Sequence, residues 1–207
     1  GVVDPGISIG TYAFQNCTSL TSLTIPIYVD SVGNASKPIF SGCVNIVDFT
    51  ITGDGMSDGK SYNTPTRYYE KMPWYVSNSN HAAGTVTVTF GTGIVDVGTS
   101  AFYGCNGVVF KHDALFAEGL KSIGPSAFNG CEKLSGPIKF PSTLRSIGYF
   151  AFYNCGMISE ISFAENSIVN EIQQRAFYNC DGLDGVIHFP DSLQYLKADC
   201  FMSCDGI

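Results

Sequence analysis

One six-residue phrase governs how this chain can fold. It reads S-A-F-Y-G-C at 100–105, S-A-F-N-G-C at 126–131, F-A-F-Y-N-C at 150–155 and R-A-F-Y-N-C at 175–180. Looser copies place Ala13-Phe14 before Cys17, Ile39-Phe40 before Cys43 and Cys200-Phe201 before Cys204. The closing cysteines lie 26, 62, 26, 24, 25 and 24 residues apart. A unit of this size cannot bury its own apolar face, so successive units must stack. The phrase is therefore scaffold. Phe fills the interior, Ala permits close approach, and Cys acts as a small apolar filler.

Two further parts recur in each unit. An apolar-x-x-apolar-Gly step stands at 29–33, 94–98, 120–124 and 144–148, read as a glycine turn, and Gln173 and Lys197 replace the Gly in the last two units. Further upstream come "LTIP" at 23–26, "VTVTF" at 86–90, "PIKFP" at 137–141, "EISF" at 160–163 and "VIHFP" at 186–190. Alternation over four to six residues with β-branched and aromatic side chains predicts half-buried strands. A following Pro ends a strand because it lacks the N–H for the ladder. No unit carries a long amphipathic helical stretch.

Composition narrows the function classes. Charged residues make up only 14% of the 207 residues and the formal charge is −7. That argues against nucleic acid as a partner, because phosphate binding needs clustered Lys and Arg. No apolar run reaches the roughly 20 residues of a spanning helix, and no signal peptide is visible. The chain opens on Gly1 inside a unit and stops three residues after Cys204 without a polar capping segment. It reads as an excerpt of a longer array, or as one whose end self-associates or is covered by a partner chain.

The stretch "CEKLSGPIKFPSTLRSIGYFAFYNC" at 131–155, and "CTSLTSLTIP" at 17–26, resemble the BspA-like leucine-rich repeats, also called the Treponema pallidum type. Their pattern runs C-x-x-L-x-x-I-x-I-P-x-x-L-x-x-I-G-x-x-A-F-x-x-C, and the unit length fits the leucine-rich repeat window. The resemblance implies a repeat solenoid: a leucine-rich-repeat superhelix with a parallel β-sheet, short extended segments and turns, and little long helix. It also implies a surface protein of gut or oral bacteria or of some protists, with adhesion as a theme and no shared catalytic motif. The expected organisation is one solenoid over 1–207 of about eight coils, with 52–80 an irregular insertion or degenerate repeat. Its marks are Thr52, Gly53, Gly55, Met56, Pro73, Trp74 and Tyr75, with Trp74 taking the core place of Phe.

The candidate chemistry is sparse. Seven of the eight cysteines share one phase along the repeat, which points to buried free thiols, because parallel side chains fit disulfide geometry poorly. A local Cys200–Cys204 bridge is the alternative. No pair of C-x-x-C type faces another, so zinc is not expected. His81, His112 and His188 share no spacing, and the chain has no G-x-S-x-G. Asp54 and Asp58 sit in a Gly-rich stretch without the order of a calcium loop. Sequons occur at Asn16 and Asn34. No cofactor, metal or catalytic residue is assigned.

Two surfaces remain as binding candidates. One is a column of outward strand positions: Thr24, Thr50, Thr89, Val109, Lys139, Ser162 and His188, beside Ser22, Asp48, Thr87, Pro137, Glu160 and Val186. The other is the insertion, with Tyr62, Arg67, Tyr68, Tyr69 and Tyr75, a composition found at binding hot spots. The expected function is a non-catalytic, extracellular or cell-surface module, bacterial in origin. It would bind a host extracellular-matrix protein, another surface protein or a glycan. The alternative is a passive spacer. A spacer lets the variable positions drift along the array; a binder clusters exposed aromatics in a few coils.

Overall fold

In the segment 136–140, Ile138 and Phe140 are buried while Pro137 and Lys139 are exposed. That period of two is a strand with one face on the core. The computed structural model describes residues 7–9, 12–26, 29–32, 43, 45–52, 86–91, 93–111 and 115–207. Its strands are β1 (Ile7–Ile9), β2 (Ser22–Pro26), β3 (Val29–Val32), β4 (Asp48–Thr52), β5 (Val86–Phe90), β6 (Asp96–Val97), β7 (Val108–Phe110), β8 (Ser122–Ile123), β9 (Gly136–Phe140), β10 (Ser146–Ile147), β11 (Ile158–Phe163), β12 (Glu171–Ile172) and β13 (Tyr195–Leu196). Every strand pair is parallel. No helix occurs among the described residues.

The coils join along three hydrogen-bonded columns. The longer strands form a four-stranded sheet, β2-β4-β5-β7, and a separate pair, β9-β11. The two-residue strands run unbroken as β6-β8-β10-β12-β13, tracing five successive coils. The third column is the repeated phrase itself. Phe102, Phe128 and Phe152 each donate their N–H to the carbonyl of the Ala in the next coil at 2.7 Å. The result is the expected parallel β-solenoid. Residues 53–85, with most of the insertion, lie outside the described residues, and so does the basis for a count of eight coils.

Side chains follow the same rise. Phe102, Phe128, Phe152, Phe177 and Phe201 stack ring on ring at 5.1–5.2 Å, with interplanar angles of 7° or less. A second set, including Phe116 and Phe140, meets them edge-on at 5.8 and 6.0 Å. Both geometries suit the ring quadrupole. The cysteines do more than fill space. The thiols of Cys131, Cys155, Cys180 and Cys204 donate to the carbonyls of Phe102, Phe128, Phe152 and Phe177, one coil back, at 3.0–3.1 Å. The Phe128 carbonyl also accepts the Cys131 N–H, so both of its lone pairs are used. All eight cysteines are free thiols, Cys200 and Cys204 included.

Two strand expectations change. The segment 186–190 forms no ladder; after Gly185 (φ +82°) it is held by Phe189, whose ring meets Phe163 at 6.2 Å and Phe201 at 5.9 Å. Between β7 and β9 the long-strand sheet is interrupted, and side chains bridge the seam. Ser142 donates its N–H and Oγ–H to the Glu118 carboxylate at 2.9 and 2.8 Å. Thr143 Oγ1 accepts from the Gly119 N–H and donates to the Leu120 carbonyl, both at 2.9 Å. The Ser142 donors hold the Glu118 carboxyl below its ordinary range.

Two predictions follow from this packing. Phe128→Ala or Phe152→Ala empties a fully buried aromatic site and should cost about 3–5 kcal/mol by urea denaturation. Burial pushes the Cys105 and Cys155 thiols from the ordinary 9.0 up to about 12. The fold holds the neutral thiol, so this stability is whole below the unfolded pKa and is lost as pH rises through the folded one. Urea midpoints should fall between about pH 9 and about pH 12, and fall less in a Cys105→Ala, Cys155→Ala variant.

Candidate binding surface

Of the glycines at 98, 124 and 148, the last two are present for closeness. A Cβ on Gly124 would lie 2.8 Å from the Thr99 nitrogen, and one on Gly148 would lie 2.6 Å from the Pro125 nitrogen. None of the three has a positive φ. The left-handed residues sit two positions later, at Ser100, Ser126, Phe150, Arg175 and Asp199, and again before each Cys, at Gly104, Gly130, Asn154, Asn179 and Ser203. The glycine-turn reading is thus corrected: backbone contact between coils excludes a side chain there.

In the last two coils Gln173 and Lys197 occupy this column. A side chain there needs room that the glycine coils lack, and at this place the surface opens into a groove of about 410 Å³. Tyr149, Glu171, Gln173, Gln174, Lys197 and Ala198 line it. Lys197 is fixed from two sides: its Nζ lies 3.7 Å from Glu171 Oε1 and 4.5 Å from the Tyr195 ring centre. Tyr149 is 47% exposed, so its ring is available as a wall.

The same ring begins an aromatic strip. Tyr149 meets Phe150 edge-on at 5.8 Å, Phe150 meets Tyr153 at 5.5 Å, and Tyr153 stacks on Tyr178 of the next coil at 5.0 Å and 10°. The Arg175 guanidinium lies 5.9 Å from the Phe150 ring centre and 5.7 Å from that of Tyr178, and its Nε donates to Asp199 Oδ2 at 3.0 Å. Phe150 and Arg175 hold φ of 57° and 56°, a conformation bulky residues rarely adopt. Of their equivalents, Ser100, Ser126 and Asp199 are small and polar, while Tyr12 (φ 60°) is bulky as they are. Large side chains in strained positions cluster at working surfaces.

The expected residues fall elsewhere. Thr24, Thr50 and Thr89 are neighbours in register on the four-stranded sheet. Lys139 and Ser162 pair on the other sheet, and His188 is exposed outside any strand. The column is therefore broken into separate pieces. Val109 pairs with Thr87, one column over from the place expected. Tyr62, Arg67, Tyr68, Tyr69 and Tyr75 lie outside the described residues. The strip had a signal in the sequence: the first variable position of the phrase is Tyr at 103, 153 and 178. Among the described residues no group of His, Cys, Asp and Glu is placed to hold a metal, and no helix is long and apolar enough to cross a membrane.

Comparison with known proteins agrees with this geometry. The family model of the BspA type leucine rich repeat region matches six copies, over residues 4–62 and 97–207. The chain belongs to this family of repeats, which are generally protein-interaction modules. Among solved structures it is similar to a leucine rich cell surface protein of Faecalibacterium prausnitzii A2-165, at 20% identity and a TM-score of 0.51. That match covers 97% of this chain and 41% of the other, so this chain spans well under half of that protein's length. The leucine rich repeat protein of T. pallidum aligns at 18% identity and a TM-score of 0.48, over 99% of this chain and 72% of the other. No curated protein matches the chain.

Backbone closeness and a half-buried surface place make different predictions for two substitutions. Gly148→Ala puts a methyl into the Pro125 backbone and should cost about 1–3 kcal/mol. Tyr178→Ala, on the surface strip, should stay within about 1 kcal/mol of the wild type. Thermal and urea denaturation of both variants checks the pair.

Proposed function

We propose that this chain is a non-catalytic, surface-displayed binding module, and that a partner protein docks on the aromatic edge. The observation that carries the reading is the clustering of Tyr149, Phe150, Tyr153, Tyr178 and Arg175 in two adjacent coils. Tyr149 is exposed and Phe150, Tyr153, Arg175 and Tyr178 are half-buried, and Tyr and Arg are residue types that dominate interface energies. Their rings are already ordered by stacking, and Arg175 is already held by Asp199, so little freedom is lost on docking. A passive spacer has no use for bulky residues in left-handed positions. A surface location is supported by the F. prausnitzii neighbour, a cell surface protein. A host matrix protein or the surface protein of another microbe is the partner class we favour.

The test is capture of extracellular-matrix proteins and mucins by the immobilised chain. A saturable interaction weakened at least about tenfold by Tyr153→Ala with Tyr178→Ala, at unchanged stability, is the expected result. Loss instead with Tyr68→Ala and Tyr69→Ala would move the contact to the 52–80 segment. Absence of any saturable partner returns the chain to the role of spacer.

A further inference from the structure

We infer that the groove at the break in the glycine column is a subsite for a neutral saccharide. The inference rests on reading this edge as a binding surface. It adds a ligand of different chemistry at a neighbouring place. Three separate observations converge on the groove. The repeat rule that places Gly at 98, 124 and 148 is broken at 173 and 197, and the break falls where the groove opens. Local rules are most often violated where a surface has a task. Apart from Ala198, every side chain that lines the groove is a hydrogen-bonding group or a ring.

The lining matches a pyranose group by group. A sugar ring presents one face of C–H bonds and a rim of hydroxyls, each both donor and acceptor. Tyr149 offers an exposed flat ring for the C–H face. Gln173 and Gln174 each offer two amide donors and a carbonyl acceptor. Glu171 accepts and Lys197 donates, and their contact at 3.7 Å cancels the net charge of the pair. The Tyr195 ring beneath Lys197 keeps that ammonium from swinging away into solvent. A paired charge gives an acidic sugar no net attraction, and the lining lacks the aliphatic side chains that anchor a peptide. The volume of about 410 Å³ lies within the range of small-ligand sites, about 300–1,000 Å³.

The repeat supplies its own control. A variant with Gln173→Gly and Lys197→Gly restores the consensus glycine to both coils, so it should fold while losing the lining. The measurement is saturation-transfer NMR of the purified chain with cellobiose, mannobiose, N-acetyllactosamine and 3′-sialyllactose. The expected result is saturable binding of at least one neutral disaccharide. That binding should be lost in Tyr149→Ala, weakened about tenfold or more in the double-glycine variant, and kept in Tyr153→Ala with Tyr178→Ala. No saturable signal from any neutral sugar up to roughly 10 mM, equal binding by the double-glycine variant, or binding of sialyllactose alone would each overturn the inference. Protein capture without sugar binding would leave the proposed function standing and remove only the subsite. Sugar binding without protein capture would do the reverse.

Discussion

Flat stacking of one phenylalanine ring per coil, at 5.1–5.2 Å, is the interaction on which the rest of this solenoid depends. Rings in face contact leave almost no freedom in the rise between coils. The rise they set is close to the roughly 4.7–4.9 Å spacing of hydrogen-bonded strands. Backbone ladders can therefore form in three columns at once, and each Cys thiol comes within reach of the carbonyl one coil back. Glycine at 124 and 148 follows from the same constraint, because coils at this rise touch backbone to backbone at the corner.

A structure fixed so tightly inside leaves its individuality to the outward positions. The strand face carries short polar residues such as Thr24 and Ser162 in no sustained pattern. The corner and the phrase, by contrast, carry rings, amides and paired charges concentrated between 149 and 199. That contrast is the ground for proposing the turn edge of the solenoid as the binding surface. The sheet face, one of the two surfaces offered by the sequence, is the plainer side.

Much of the architecture was legible because it is periodic. The A-F-x-x-C phrase, the apolar step before it and the alternating segments each map onto one hydrogen-bonded column. What the residues could not reveal was why each type stands where it does. Cys reads as filler until its thiol is seen donating to a carbonyl. Gly148 reads as a turn residue until its missing Cβ is placed against Pro125, and the real turn residue is Phe150, whose side chain hides the fact. The strip was missed because Tyr149, Tyr153 and Tyr178 are scattered across two units in sequence and meet only when the coils stack. Gln173 and Lys197 were visible as departures from the pattern, but a departure acquires meaning only from the space around it.

The interrupted sheet between β7 and β9 has a mechanical consequence. A solenoid coupled only between neighbours passes tension along its axis coil by coil, so it is as strong as its weakest seam. At this seam, backbone ladders act in two columns, and the third is replaced by hydroxyls and the Glu118 carboxylate. Those side-chain links are exposed at Ser142 and half-buried at Thr143, and they can break and reform singly, whereas a ladder shears as a set. The long-strand column is interrupted again after β11, so the β9-β11 pair lies between two such joints. Under pull along the axis, such joints would lengthen before the stacked rings part.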